Sequence, residues 1–196
     1  MPAPYTTNKK QMIRFFSLNF KHVFSMEYLY KRIHEWVLDE EYADGDNDVW
    51  IEKFYLERVS GNGAKQIWIL WRTDKDFVNK FYKFYLNIDF HCLNLTSTEV
   101  VHEGTKVKMN KGEVETFIIA WMELDPQGEW NKHFFLRNKW IQNFMLNRVM
   151  KRRIEAAEEQ LIKDSSRLLG AVKQYFQLES FLPEYAEKSF HEPKGQ

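Results

Sequence analysis

Tyr82-Lys83-Phe84-Tyr85-Leu86-Asn87-Ile88-Asp89-Phe90-His91-Cys92 is the stretch on which the fold turns. Successive side chains of a strand point to opposite faces. Here Tyr82, Phe84, Leu86, Ile88, Phe90 and Cys92 share one face, and Lys83, Asn87, Asp89 and His91 share the other. This alternation predicts a strand buried on one side, as in an antiparallel sheet. The phase reverses at Leu93 and Leu95, which predicts a bulge or bend.

Working outward, Ser60-Gly61-Asn62-Gly63 separates an apolar run, Trp50 to Val59, from a second, Gln66 to Arg72; that is a hairpin signal. Within the second run, Ile67-Trp68-Ile69-Leu70-Trp71 is apolar on both faces. It is either central and covered on both sides, or it presents an exposed binding face. Further upstream, Met12, Phe16, Leu18 and Phe20 lie on one side of a strand, with Ser17 and Asn19 opposite. Ser25 reads as a helix N-cap, and Glu27 places a carboxylate at the positive helix end. Met26, Leu29, Ile33, Trp36 and Val37 then follow helical spacing, until Gly45 and its acidic neighbours. Residues Met1 to Lys10 read as a frayed polar tail.

Downstream, His102-Glu103-Gly104-Thr105 forms a tight turn, and Val114, Ile118, Ala120 and Met122 line the inner face of the last strand. Pro126 and Gly128 end it. The period then changes to about 3.6. A helical stretch from Lys132 to Met150 leads, through a kink, into a long helix reaching Leu178. Ile154, Ala157, Leu161, Ser165, Leu168, Val172 and Tyr175 form its stripe. Pro183 closes the ordered part. With no repeat or linker, the 196 residues read as one domain with an ordered core over about 12–182.

Composition narrows the function classes. Twenty-eight basic residues balance twenty-eight acidic ones, so no global field draws in nucleic acid. Cys92 is the only cysteine, which excludes an internal disulfide and a Cys-based zinc site. No apolar run approaches the roughly 20 residues that span a bilayer. The expected location is cytoplasmic, with a peripheral position at a membrane left open.

Catalytic motifs are missing. Gly61-Asn62-Gly63 lacks the following GK[ST] of a phosphate loop, and His34-Glu35 does not continue as H-E-x-x-H. Asp44-Gly45-Asp46-Asn47-Asp48 begins like a calcium loop, but Val49 stands where glycine is needed and Tyr55 where a bidentate Glu is needed. His91 and Cys92 alternate, so they cannot pair as base and nucleophile. Glu52 shares a face with Trp50, Phe54 and Leu56; it is a general base if buried, and an edge residue if not. The expectation is no catalytic residue, no metal and no cofactor.

One segment stands out. Between Trp130 and Ile154 there is no Asp or Glu, while Lys132, Arg137, Lys139, Arg148, Lys151, Arg152 and Arg153 supply seven cations among Trp130, Phe134, Phe135, Trp140 and Phe144. A basic amphipathic segment rich in aromatics belongs to a membrane-surface or partner-binding element, or it covers one end of an aromatic sheet. Ile141 and Phe144 are expected to be buried, with Phe135, Leu136 and Met150 forming an exposed apolar set.

The order strand, helix, several antiparallel strands, long C-terminal helix predicts an α+β fold with five or six strands packed on that helix. In element order this resembles a START-like, helix-grip domain. Val107-Lys108-Met109-Asn110-Lys111-Gly112-Glu113-Val114-Glu115, with the region Phe135-Leu136-Arg137 to Arg152-Arg153-Ile154-Glu155, also resembles an uncharacterised family of small archaeal proteins. That resemblance implies no activity. Two functions are expected of the pattern. The first is a non-enzymatic module holding a lipid or other apolar or amphipathic molecule between sheet and helix, on Tyr82, Phe84, Leu86, Ile88, Phe90 and Met122. The second docks on an anionic membrane surface, or forms homo-oligomers, through Trp130, Trp140, Arg148, Lys151, Arg152 and Arg153. Nucleic acid ranks last.

Overall fold

The computed structural model describes residues 5–7, 9–43, 51–77, 81–102 and 105–180. Strands β1 (Lys10–Phe24), β2 (Glu52–Val59), β3 (Lys65–Phe77), β4 (Tyr82–His102) and β5 (Thr105–Leu124) form one antiparallel sheet in the order β1-β5-β4-β3-β2. Helix α1 (Met26–Asp39) follows β1. After β5 come the short helices α2 (Glu129–Lys132) and α3 (Lys139–Phe144), a π-helical turn (Met145–Val149) and the long α4 (Lys151–Ser180). The fold is α+β, with the sheet packed on the C-terminal helix in a helix-grip-like manner.

Alternation in β4 places the core. Tyr82, Phe84, Leu86, Ile88, Phe90 and Cys92 are all buried, and Val114, Ile118, Ala120 and Met122 of β5 lie beside them. In α4 the stripe Ile154, Ala157, Leu161, Ser165, Leu168 and Val172 is buried against this face; Tyr175 is half-buried and Phe176 goes deeper. Each fully buried Leu, Ile or Phe contributes about 1.5–3 kcal/mol, so this seam holds the two layers together. Polar bonds fix its ends. The Tyr175 hydroxyl accepts from the Ser25 N–H at 3.0 Å and donates to the Ser25 carbonyl at 2.8 Å. Tyr42 donates to Asp164, which is buried and also paired with Arg167 at 2.7 Å.

Ser25 caps α1 as expected, accepting from the Tyr28 N–H, and Met26, Leu29, Ile33 and Val37 are buried. The helix stops at Glu40 and Glu41, where Glu41 takes a positive φ of 59°. Gly45 and the Asp44–Asp48 turn lie outside the described residues, as do Trp50 and Pro183. The hairpin forms between β2 and β3, with Gly63 at φ 80°. His102 pairs with Thr105, bracketing the predicted turn. In β4 the predicted bulge occurs: register shifts between Leu93 and Thr96, and Asn94 turns to φ 51°. Gly112 of β5 passes so close that a Cβ there would sit 2.9 Å from the Leu93 carbonyl oxygen.

Three expectations fail. Met12 does not share the inner face with Phe16, Leu18 and Phe20. A bulge between Met12 and Arg14 resets the phase, so Ile13 packs on the core and Met12 is exposed. The N-terminal stretch is not wholly frayed: the Tyr5 N–H donates to Asn147 Oδ1, Thr7 bridges to Leu124, and β1 begins at Lys10. Finally, Lys132 to Met150 is not one helix. Residues 133–138 are turns, because the His133 N–H closes on the carbonyls of Glu129 and Trp130 and the Asn138 side chain starts a new helix by capping Trp140.

For β3, Ile67, Ile69 and Trp71 face the core, while Trp68 and Leu70 lie half-buried on the other face of the sheet. The core cluster takes only the first set; α1 and α4 pack on one side of the sheet.

Candidate functional site

Three elements meet at one end of the sheet. Phe77 closes β3 and pairs with Tyr82, the first residue of β4. Phe81 stands before it, edge-on to the Tyr82 ring at 4.9 Å, and packs on Trp130 at 5.2 Å. Against these rings run Met150 and the first turns of α4. Phe77, Phe81, Tyr82, Met150, Arg153, Ala156, Ala157 and Gln160 enclose a cleft of about 460 Å³, inside the size range of small-molecule sites.

Its chemistry is mixed. The walls are mainly aromatic and aliphatic, and three polar side chains, Tyr82, Arg153 and Gln160, stand among them. Tyr82 is only 4% exposed, yet its hydroxyl has no hydrogen-bond partner among the described residues. Burial pushes that hydroxyl above its ordinary pKa, and the Arg153 cation works against the rise; it is a neutral donor at physiological pH. Buried hydroxyls in folded proteins are almost always partnered. Arg153 is exposed and forms no ion pair among the described residues. The cleft therefore offers a mainly apolar wall with a guanidinium and an amide, and the Tyr82 ring lines it while its hydroxyl lies buried.

Of the six side chains expected to hold a ligand, Tyr82 alone lines this cleft. Phe84, Leu86, Ile88, Phe90 and Met122 are at most 1% exposed and belong to the core cluster with Leu161 and Leu168. The α4 stripe packs directly on them, so side chains fill the space where the element order predicts a ligand. No protein-family model matches the chain, and neither does any curated protein. The reading of this site rests on its own geometry.

The remaining chemical candidates lie apart from the cleft. The Cys92 thiol is fully buried, donates to Met26 Sδ at 3.6 Å, and is pushed up to about 12 by burial. His91 lies across the sheet from it, stacked on Trp68 at 5.0 Å and bonded through Nδ1 to Glu115 at 3.1 Å; its buried Nε2, like Thr116 Oγ1 and Trp121 Nε1, has no partner among the described residues. Glu52 is half-buried and accepts from the Tyr30 hydroxyl at 3.1 Å. Among the described residues, no group of three His, Cys, Asp or Glu side chains gathers to hold a metal, and no helix is long and apolar enough to cross a membrane.

The basic aromatic segment borders the cleft. Trp130 is half-buried behind Phe81, whereas Trp140 is 74% exposed; Arg148, Lys151, Arg152 and Arg153 are exposed. Phe144, expected to be buried, is half-exposed and stacks on Trp140 at 6.0 Å, while Ile141 is half-buried. Phe135 is exposed as expected, but Leu136 and Met150 are half-buried. Sequence reading missed Phe77, Phe81, Ala156 and Gln160. They carry no shared signal, because they come from separate elements that only the folded chain brings together.

Proposed function

We propose that the chain is a non-enzymatic binding module that holds an apolar or amphipathic small molecule in the cleft between the end of the sheet and α4. The observation that carries this reading is a cleft of about 460 Å³ walled mainly by Phe77, Phe81, Tyr82 and Met150, beside a buried Tyr82 hydroxyl with no partner among the described residues. A ligand oxygen that reaches the Tyr82 hydroxyl on a small shift of the ring would satisfy the donor, and an acidic head group would meet Arg153. The apolar part would lie along Phe77, Phe81 and Met150.

Dodecanoate and dodecanol, kept below their aggregation concentrations, are suitable probes in titration calorimetry. Saturable binding is expected, with dodecanoate the tighter. Tyr82→Phe should weaken it about three- to tenfold, the worth of one hydrogen bond. Ala156→Trp, at an exposed position on the rim, should block the cleft and weaken binding more than tenfold without disturbing the core. Absence of saturable binding, or binding that ignores both substitutions, would overturn the reading.

A further inference from the structure

In an ordinary surface helix the apolar residues face the protein and the polar ones face water. The segment after β5 inverts this. Gln142 is only 8% exposed, its amide donating to Asn131 at 2.9 Å and its carbonyl accepting from the Thr7 hydroxyl at 3.3 Å. Beside it Phe134 is 86% exposed, and Phe135, Trp140, Phe144 and Val149 are all more than half exposed. Fraying does not account for this. Asp125 accepts from the N–H groups of Glu129 and Trp130 at 2.8 and 2.9 Å, Asn138 caps α3, and Leu146 anchors the π-helical turn in the core. The chain is held so that its rings point outward. Lys132, Arg137, Lys139, Arg148, Lys151, Arg152 and Arg153 of the same stretch are all exposed. Lys151 has a partner, Glu155 at 3.6 Å.

We infer that this segment docks the protein on the surface of an anionic phospholipid bilayer, with Phe134, Trp140 and Phe144 entering the interface and the cations meeting the head groups. Trp and Phe in one stretch with Lys and Arg suit that depth and charge. A second copy of the chain is a poor occupant, since a two-fold contact would bring the same cations against each other. Nucleic acid is a poorer occupant too, since the chain carries no net positive charge. The inference does not depend on the cleft being a ligand site.

The test uses the full chain with phosphatidylcholine vesicles, with and without about one-third phosphatidylserine, in co-sedimentation. Partition should be at least tenfold stronger on the anionic vesicles and should fall as salt shortens the screening length. Phe134→Ala with Trp140→Ala should weaken it about tenfold or more, as should Arg148→Glu with Arg152→Glu. All four sites are exposed and none lines the cleft, so dodecanoate binding should be unchanged in both variants. Failure of docking and failure of the ligand reading are thus separate results. The inference is overturned if anionic vesicles do not sediment the protein, or if neither double variant reduces sedimentation. It is overturned equally if these substitutions abolish single-stranded oligonucleotide binding or a concentration-dependent dimer while vesicle binding is absent.

Discussion

Cys92 shows how a residue's surroundings decide its chemistry. Among the described residues only the Met26 sulfur accepts from the thiol, so the charged form gains no stabilising partner there and burial moves its pKa from 9.0 to about 12. Below pH 9 both folded and unfolded chains keep the thiol protonated. Between pH 9 and 12 only the unfolded chain ionises, so stability is lost through that window, on the order of 4 kcal/mol by its upper end. Alkaline unfolding followed by circular dichroism should therefore be less steep across that window in Cys92→Ala than in the natural chain. A thiol-reactive dye at pH 8 should label Cys92 only once the protein is unfolded. Fast labelling of the native state would show that the thiol is not buried.

At the scale of elements, small irregularities set the geometry of the sheet. The Asn94 bulge turns the inward set from Cys92 to Leu95 and presses on Gly112, where a side chain has no room. Gly112→Ala should cost about 1–3 kcal/mol in chemical denaturation, the usual toll of overpacking against backbone; a neutral result would mean the bulge relaxes freely. Asp125 plays the comparable part at the far end of β5. It is buried, adopts φ 51°, and its carboxylate receives the first N–H groups of α2. Asp125→Asn keeps one acceptor oxygen and should lose one of the two cap bonds, whereas Asp125→Ala loses both and should cost about 1–2 kcal/mol. Amide exchange over 129–149 should rise in the alanine variant. Unchanged protection there would show that the segment is held by Leu146 and Gln142 alone.

At the scale of the whole molecule, two surfaces compete for the same kind of residue. The core seam takes Leu161 and its neighbours out of water, and Leu161→Ala should cost about 2–5 kcal/mol. Trp140 is larger, yet Trp140→Ala should shift stability by no more than about 0.5 kcal/mol, because solvent already surrounds the ring. A thermal or denaturant curve for each variant checks the contrast. A large loss on truncating Trp140 would place the ring in the core and remove the ground for docking.

Periodicity alone determined the inner faces of β4 and β5, the α4 stripe, the Ser25 cap and the hairpin, because each is a local pattern repeated over several residues. Residue-by-residue alternation likewise separated His91 from Cys92 before any fold was known. The same rule misplaced Met12, since a single bulged residue inverts every side chain beyond it and leaves no mark in composition. Charge and aromatic content marked out Trp130 to Ile154, but not which of its faces points to water. Helical spacing put Phe144 inside with Ile141; tertiary structure put Gln142 inside instead, because Asn131 and Thr7 give its amide partners there. The cleft was beyond the sequence altogether. Its wall joins the end of β3, the start of β4 and the first turns of α4, and contacts between such distant residues exist only once the chain has folded.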